Sequence, residues 1–261
     1  MPQVPARSDT TPREYGRRGV FGILTPQSNA IAEQELRILL PPACSMVSAR
    51  LTSAGRTLER RLADYGERLD QFLDQFGNIA ADAVGVACTG SFYGLDRGEE
   101  RTRRQARQAR RGCPVVTSVD AIDAALRALG IGSIAIVSPY PAWLTESCRS
   151  HWVGLGTRVT GVLQLSSGAT EPHRIYSLTS ASVLEETLRF DVQGAEAILL
   201  SGTGMPSLRV IQQLEPTRGI PVLSSSLCLA WALARTVDLG ERGPESRLYG
   251  GWAGRLALAL A

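Results

Sequence analysis

One thiol in this sequence is placed for chemistry. Cys88 lies in Ala87-Cys88-Thr89-Gly90-Ser91-Phe92-Tyr93, after an apolar run and before a polar helical stretch. Backbone N–H groups of the turn and the positive end of the following helix would both favour a thiolate. They would lower its pKa from the free value of about 8.5. Thr89 and Ser91 add hydroxyl donors for an anion. The plainer reading is a small buried cysteine at a strand end, the usual fate of this residue. Cys44, Cys113, Cys148 and Cys228 read as packing: the first follows Pro41-Pro42, the second precedes Pro114, the third sits in a helical pattern and the last follows a serine run.

Four further turns carry donors. Ser201-Gly202-Thr203-Gly204-Met205-Pro206 ends an apolar run with two glycines and two hydroxyls. Such a turn presents backbone N–H groups to a carboxylate or phosphate, but it lacks the G-x-G-x-x-G pattern of dinucleotide sites. In Thr25-Pro26-Gln27-Ser28-Asn29, Ser28 or Asn29 serves as a helix N-cap, or the Asn29 amide holds a carboxylate. Ser138-Pro139-Tyr140 offers a phenol at a strand end, and Ser224-Ser225-Ser226 caps a helix or donates hydrogen bonds.

Composition removes several chemistries. All 28 basic side chains among the 261 residues are Arg, so no lysine imine and no Walker-type phosphate lysine can form. His151 and His173 are the only histidines, too few for a multi-histidine metal centre. No two carboxylates stand at matched strand ends, so a glycosidase pair has no carriers. A net charge of +3 gives no reason to expect nucleic acid, and the Arg-rich stretch 97–111, lacking interleaved aromatics, reads as a solvated helix face. No apolar run reaches 18 residues, so no membrane partner is expected. Five scattered cysteines without a C-x-x-C pair suggest reduced thiols and a cytoplasmic protein.

The elements that must position these residues follow from the apolar pattern. Strand-like runs occupy 20–24, 46–51, 83–87, 115–116, 133–137, 158–163, 197–200 and 222–223. Helical spacing fills 30–40, 56–76, 119–129, 142–153, 183–191 and 227–239. Short continuous apolar strands alternating with helices predict an α/β fold with parallel sheets covered on both faces. Ile23-Leu24-Thr25-Pro26 is echoed by Ile136-Val137-Ser138-Pro139, and the run 82–90 by 196–204, at offsets of 113 and 114. Two similar halves are therefore expected, with matching strand ends facing each other across a cleft. The division expected is a loose tail over 1–18, a first lobe from 19–117 plus 224–261, and a second lobe over 118–223.

The ordered set Leu24-Thr25-Pro26-Gln27-Ser28-Asn29 with Glu33 and Glu35-Leu36, Cys88 to Tyr93, Ser138-Pro139-Tyr140, Leu200 to Gly204, and Pro221 to Ser226 with Trp231 resembles the Asp/Glu racemase superfamily. Within it, the set is similar to the maleate cis–trans isomerase and arylmalonate decarboxylase branch. The resemblance implies two pseudo-symmetric Rossmann-like halves with the active site between them, no cofactor and a homo-oligomer. Racemase members use two cysteines, one from each half. In the isomerase branch the first-half cysteine adds to the alkene, and Cys88 matches it. Asn29 and Tyr140 match the groups that hold carboxylates. Thr89, Gly90, Ser91, Gly202 and Thr203 match the anion pocket of hydroxyl and backbone donors.

The sequence departs from the family at the second cysteine, which aligns with Gly202. Racemisation, which needs a group on each face, is disfavoured. The expectation is a cysteine-dependent isomerase of a small unsaturated dicarboxylate. The alternatives are a decarboxylase of arylmalonate type with Cys88 as the proton donor, and a carboxylate-binding protein without activity.

Overall fold

The computed structural model describes residues 13–166, 174–240 and 243–261, apart from the Arg97 and Arg174 side chains. Its apolar runs pair into two all-parallel sheets. Gly19–Pro26 (β1), Cys44–Leu51 (β2), Ala83–Val86 (β3) and Val115–Thr117 (β4) make one, in the order β2-β1-β3-β4. Ser133–Ser138 (β5), Arg158–Gln164 (β6), Ala197–Leu200 (β7) and Val222–Ser224 (β8) make the other, in the order β6-β5-β7-β8. The two orders are the same, and β2 and β6, like β3 and β7, begin 114 residues apart. The sequence echo is therefore a repeated topology. The inner strands β3, β5 and β7 are buried throughout and the edge strands β2 and β6 only partly. Strands covered on both faces have no polar side to alternate with, which is why they read as unbroken apolar runs.

The helices are Ala32–Leu39 (α1), Leu58–Glu67 (α2), Leu69–Leu73 (α3), Arg97–Arg111 (α4), Ser118–Leu129 (α5), Ala142–Gly154 (α6), Ser180–Arg189 (α7), Leu208–Arg218 (α8), Ser225–Arg235 (α9) and Ala253–Ala259 (α10). The single helix expected over 56–76 is instead α2, α3 and a 3-10 turn at Asp74–Phe76, broken at Arg68, whose φ −102 and ψ 15 are not helical. Helix α8 was not foreseen, because Pro216 lies inside it. The proline sits in the last turn, where it forfeits one i→i−4 hydrogen bond and the helix ends two residues later.

Helix α9 starts at the end of the second sheet but packs over β3 and β4 of the first, beside α1 and α5. A Cβ added at Gly85 of β3 would stand 2.9 Å from Leu233 of α9. Leu227, Cys228, Leu229, Ala230, Leu233 and Ala234 are fully buried, as expected of a helix enclosed on all sides. A second tie joins α1 to α8. The buried Glu35 carboxylate accepts the Ser207 N–H at 2.5 Å, the Leu208 N–H at 3.2 Å and the Ser207 hydroxyl at 2.8 Å. It caps α8 from outside, since Ser207 makes no cap bond of its own.

The arginines of α4 are mostly spoken for. Arg103 pairs with Glu99, Arg104 with Asp120, and Arg110 with Asp70 and Asp74. Arg107 corrects the expectation of a fully solvated face: it is 4% exposed and pairs with Glu100 at 2.8 Å. Of the segment read as a loose tail, 1–12 lie outside the described residues, and Arg13 donates to the Ala80 carbonyl at 2.9 Å. No helix among the described residues is long and apolar enough to cross a membrane.

Candidate active site

The loops after β1, β3, β5 and β7 meet at the carboxyl ends of the two sheets and enclose a cavity of about 250 Å³. Asn29, Cys88, Thr89, Gly90, Tyr140 and Thr203 line it, two of them from the second half of the chain. Ser91 and Gly202 stand behind that wall. Ser91 Oγ lies 3.3 Å from Cys88 Sγ, and the Gly202 N–H donates to Ser225 Oγ at 2.9 Å. His173 lies outside the described residues.

The polar wall can be counted donor by donor. Asn29 Oδ1 accepts the N–H groups of Ile31 and Ala32 at 2.9 and 3.0 Å. The amide thus caps the start of α1 and turns Nδ2 inward. Nδ2 gives one hydrogen to Thr203 Oγ at 3.1 Å and keeps the other for a ligand. Thr203 spends its own proton on the Ala87 carbonyl at 2.8 Å, so it fixes Asn29 rather than donating to a ligand. Thr89 Oγ and Tyr140 Oη are 2.7 Å apart; one donates to the other and one proton remains free. Tyr140 is anchored through its carbonyl, which accepts from Thr145 at 3.0 Å and from Gln164 at 2.9 Å.

Cys88 is only 4% exposed. Burial pushes its thiol above its ordinary value, and bonds from the Ser91 hydroxyl and the N–H groups of Ser91 and Gly90 pull it only part of the way back. This corrects the expected acidic thiol. Desolvation outweighs the donors, and the helix that was to help begins nine residues later, at Arg97. The Tyr140 phenol is raised for the same reason.

Gly202 takes φ +105, a conformation side chains rarely adopt, and a Cβ there would meet Tyr140 Oη at 2.9 Å. The phenol fills the space a second cysteine would need. Ser201 is no substitute: fully buried, it bonds Tyr93 Oη at 2.8 Å and lies 3.5 Å from Cys148 Sγ, away from the cavity. Gly204 is bare because Tyr176 closes against it, within 2.7 Å of a Cβ built there.

A family model described as arylmalonate decarboxylase matches residues 49–249. The chain belongs to the arylmalonate decarboxylase family. Maleate isomerases are among this family member's relatives. That of Geobacillus stearothermophilus is 26% identical over 247 residues, covering 87% of this chain and 94% of its own length. The crystal structure of a Pseudomonas putida S16 maleate isomerase variant with maleate shares the fold, with a TM-score of 0.79 at 23% identity over 87% of this chain and 95% of that one. A Nocardia farcinica maleate cis–trans isomerase variant, solved with a covalently bound succinylcysteine intermediate, gives 0.77 at 23% identity over 87% and 96%.

The sequence did not single out the outer wall: Arg56, Leu58, Arg61, Leu62, Tyr65 and, from the other half, Tyr176. Leu58, Leu62 and Tyr65 fall within the helical spacing over 56–76, but that spacing does not tell a face that borders a cavity from one that packs in the core.

Proposed function

We propose that the chain is a cofactor-independent, cysteine-dependent cis–trans isomerase of a small unsaturated dicarboxylate, of the maleate-to-fumarate type. The observation that carries this reading is the cavity wall: among the described residues a single thiol, Cys88, faces neutral donors and arginines, and no carboxylate lines the cavity. Such a wall receives a dianion without repulsion and sets one nucleophile beside it.

The chemistry then needs only the thiolate. Cys88 Sγ forms a bond to one alkene carbon, and the π pair moves to the other carbon and into its carboxylate. The former double bond, now single, rotates. The pair returns, the C–S bond breaks, and the trans acid leaves with the thiolate regenerated. Asn29 Nδ2 and the Thr89–Tyr140 pair hold the carboxylate that receives the charge. No proton is consumed per turnover, so the missing second thiol is no obstacle. A maleate isomerase relative carrying a succinylcysteine intermediate supports sulfur–carbon bonding in this fold.

Decarboxylation of an arylmalonate is the second reading, favoured by the raised thiol. A cysteine kept protonated by burial is suited to protonate an enediolate after CO2 is lost.

The test is to follow maleate by proton NMR with the wild type and Cys88→Ala. Fumarate formation that falls by about 10³-fold or more in the variant is expected. Absence of turnover in the wild type at high enzyme, with CO2 released from phenylmalonate instead, moves the assignment to the decarboxylase. Silence with both leaves a carboxylate-binding protein.

The division into lobes 19–117 plus 224–261 and 118–223 is part of the same proposal, supported by the return of α9 to the first sheet. Five unpaired thiols support a reducing compartment such as the cytoplasm.

A further inference from the structure

The inner wall of the cavity is neutral, yet the proposed substrate carries two negative charges. The positive charge stands at the outer end. Arg56 in the loop after β2 and Arg61 on the first turn of α2 both line the cavity. Among the described residues neither makes an ion pair or a side-chain hydrogen bond, although acids lie close in sequence. Asp64 and Glu67 are taken by Arg60, and Asp64 also accepts from Ser53. Glu33 is taken by Arg50. Arg61 is partly buried, and its charge reaches Tyr65 and Tyr176, which close the cavity from opposite halves of the chain.

We infer that Arg56 and Arg61 form an anion clamp for the carboxylate that points away from Cys88, so that the substrate presents a carboxylate rather than an aryl group at its outer end. This rests on the isomerase reading for the identity of the ligand. A guanidinium pairs with a carboxylate through parallel N–H donors, and such charge-assisted bonds are about twice as strong as neutral ones. Two unpaired cations at the mouth of a cleft also raise the local concentration of an approaching anion. Because every basic residue of the chain is Arg, residue type does not distinguish these two; they stand apart by lining the cavity while holding no carboxylate of their own.

The test is a binding titration that needs no turnover. Cys88→Ala protein, alone and combined with Arg61→Gln, Arg61→Lys or Arg56→Gln, is titrated calorimetrically with maleate and with the monoacid cis-crotonate, in which a methyl replaces one carboxylate. The expected result is about a tenfold or greater loss of maleate affinity in Arg61→Gln, a smaller loss in Arg56→Gln, partial retention in Arg61→Lys, and cis-crotonate affinity unchanged within about threefold. Equal losses for both acids, no loss for either, or no maleate binding to the parent protein would overturn the clamp. Maleate binding with the expected discrimination but no isomerisation by the wild type would leave the clamp standing and remove only the isomerase.

Discussion

At the residue scale the account turns on the burial of Cys88. A thiol raised by desolvation is neutral at neutral pH and ionises only as pH climbs. If the thiolate attacks, kcat/KM for maleate increases with pH through the neutral range and is still rising at pH 9, the ordinary thiol value. If Cys88 acts as an acid instead, decarboxylation is flat through the neutral range and falls only at pH above the ordinary thiol value, where the raised thiol finally ionises. A pH–rate profile with each substrate separates the two. Gly202 gives a second prediction. Gly202→Ala combines a strained φ with a Cβ 2.9 Å from Tyr140 Oη, and is expected to cost about 2 kcal/mol, or a Tm lower by about 4–8 °C in a scanning calorimeter. An unchanged Tm would mean that Tyr140 yields freely. Much of this scale was legible: Cys88, Asn29, Thr89 and Tyr140 announced themselves as polar residues at the ends of apolar runs. The direction of the thiol shift was not legible, because it depends on how much chain closes over the sulfur, and that chain comes from distant segments.

At the element scale the notable contact is Glu35 of α1 at the head of α8. Its pKa is raised, chiefly by desolvation and against the bonds it accepts from Ser207 and Leu208. A raised carboxylate means that the folded chain keeps the proton above the pH at which the unfolded chain loses it. The Glu35 contribution is therefore full in acid and declines as pH rises through its folded value. Glu35→Leu leaves the Ser207 and Leu208 N–H groups without an acceptor, and urea unfolding is expected to show a loss of about 3 kcal/mol. Glu35→Gln, which keeps an acceptor, is expected to lose less and to flatten the dependence of stability on pH. A Leu variant as stable as wild type would show that water satisfies those donors. Sequence patterning revealed α1 as a helix with acids in its first turn. It could not reveal that one acid reaches residues more than 170 positions away, since helical period carries no information about the partner.

At the scale of the molecule, two copies of one topology are locked by helices that cross over. The repeat was readable because paired, doubly covered strands leave the same apolar signature in each half. The expected division places 224–261, and so α9, with the first lobe; the helix's own sequence shows only its apolar character on every side. Burial of its six fully buried apolar residues is worth about 10 kcal/mol before the entropy of ordering the helix is set against it. A chain ending at residue 223 is expected to lack a cooperative thermal transition. A cooperative, soluble product would show that the first sheet closes without α9.

The central claim is that one sulfur adds to the alkene and leaves again without help from an acid on the opposite face. The most direct measurement is the isomerisation of maleate in D2O, with product deuterium read by NMR and mass spectrometry. Fumarate with both vinyl hydrogens retained, and none formed by Cys88→Ala, is the predicted result. Fumarate that carries solvent deuterium at carbon would contradict it, because the adduct would then have been protonated at carbon before the sulfur left.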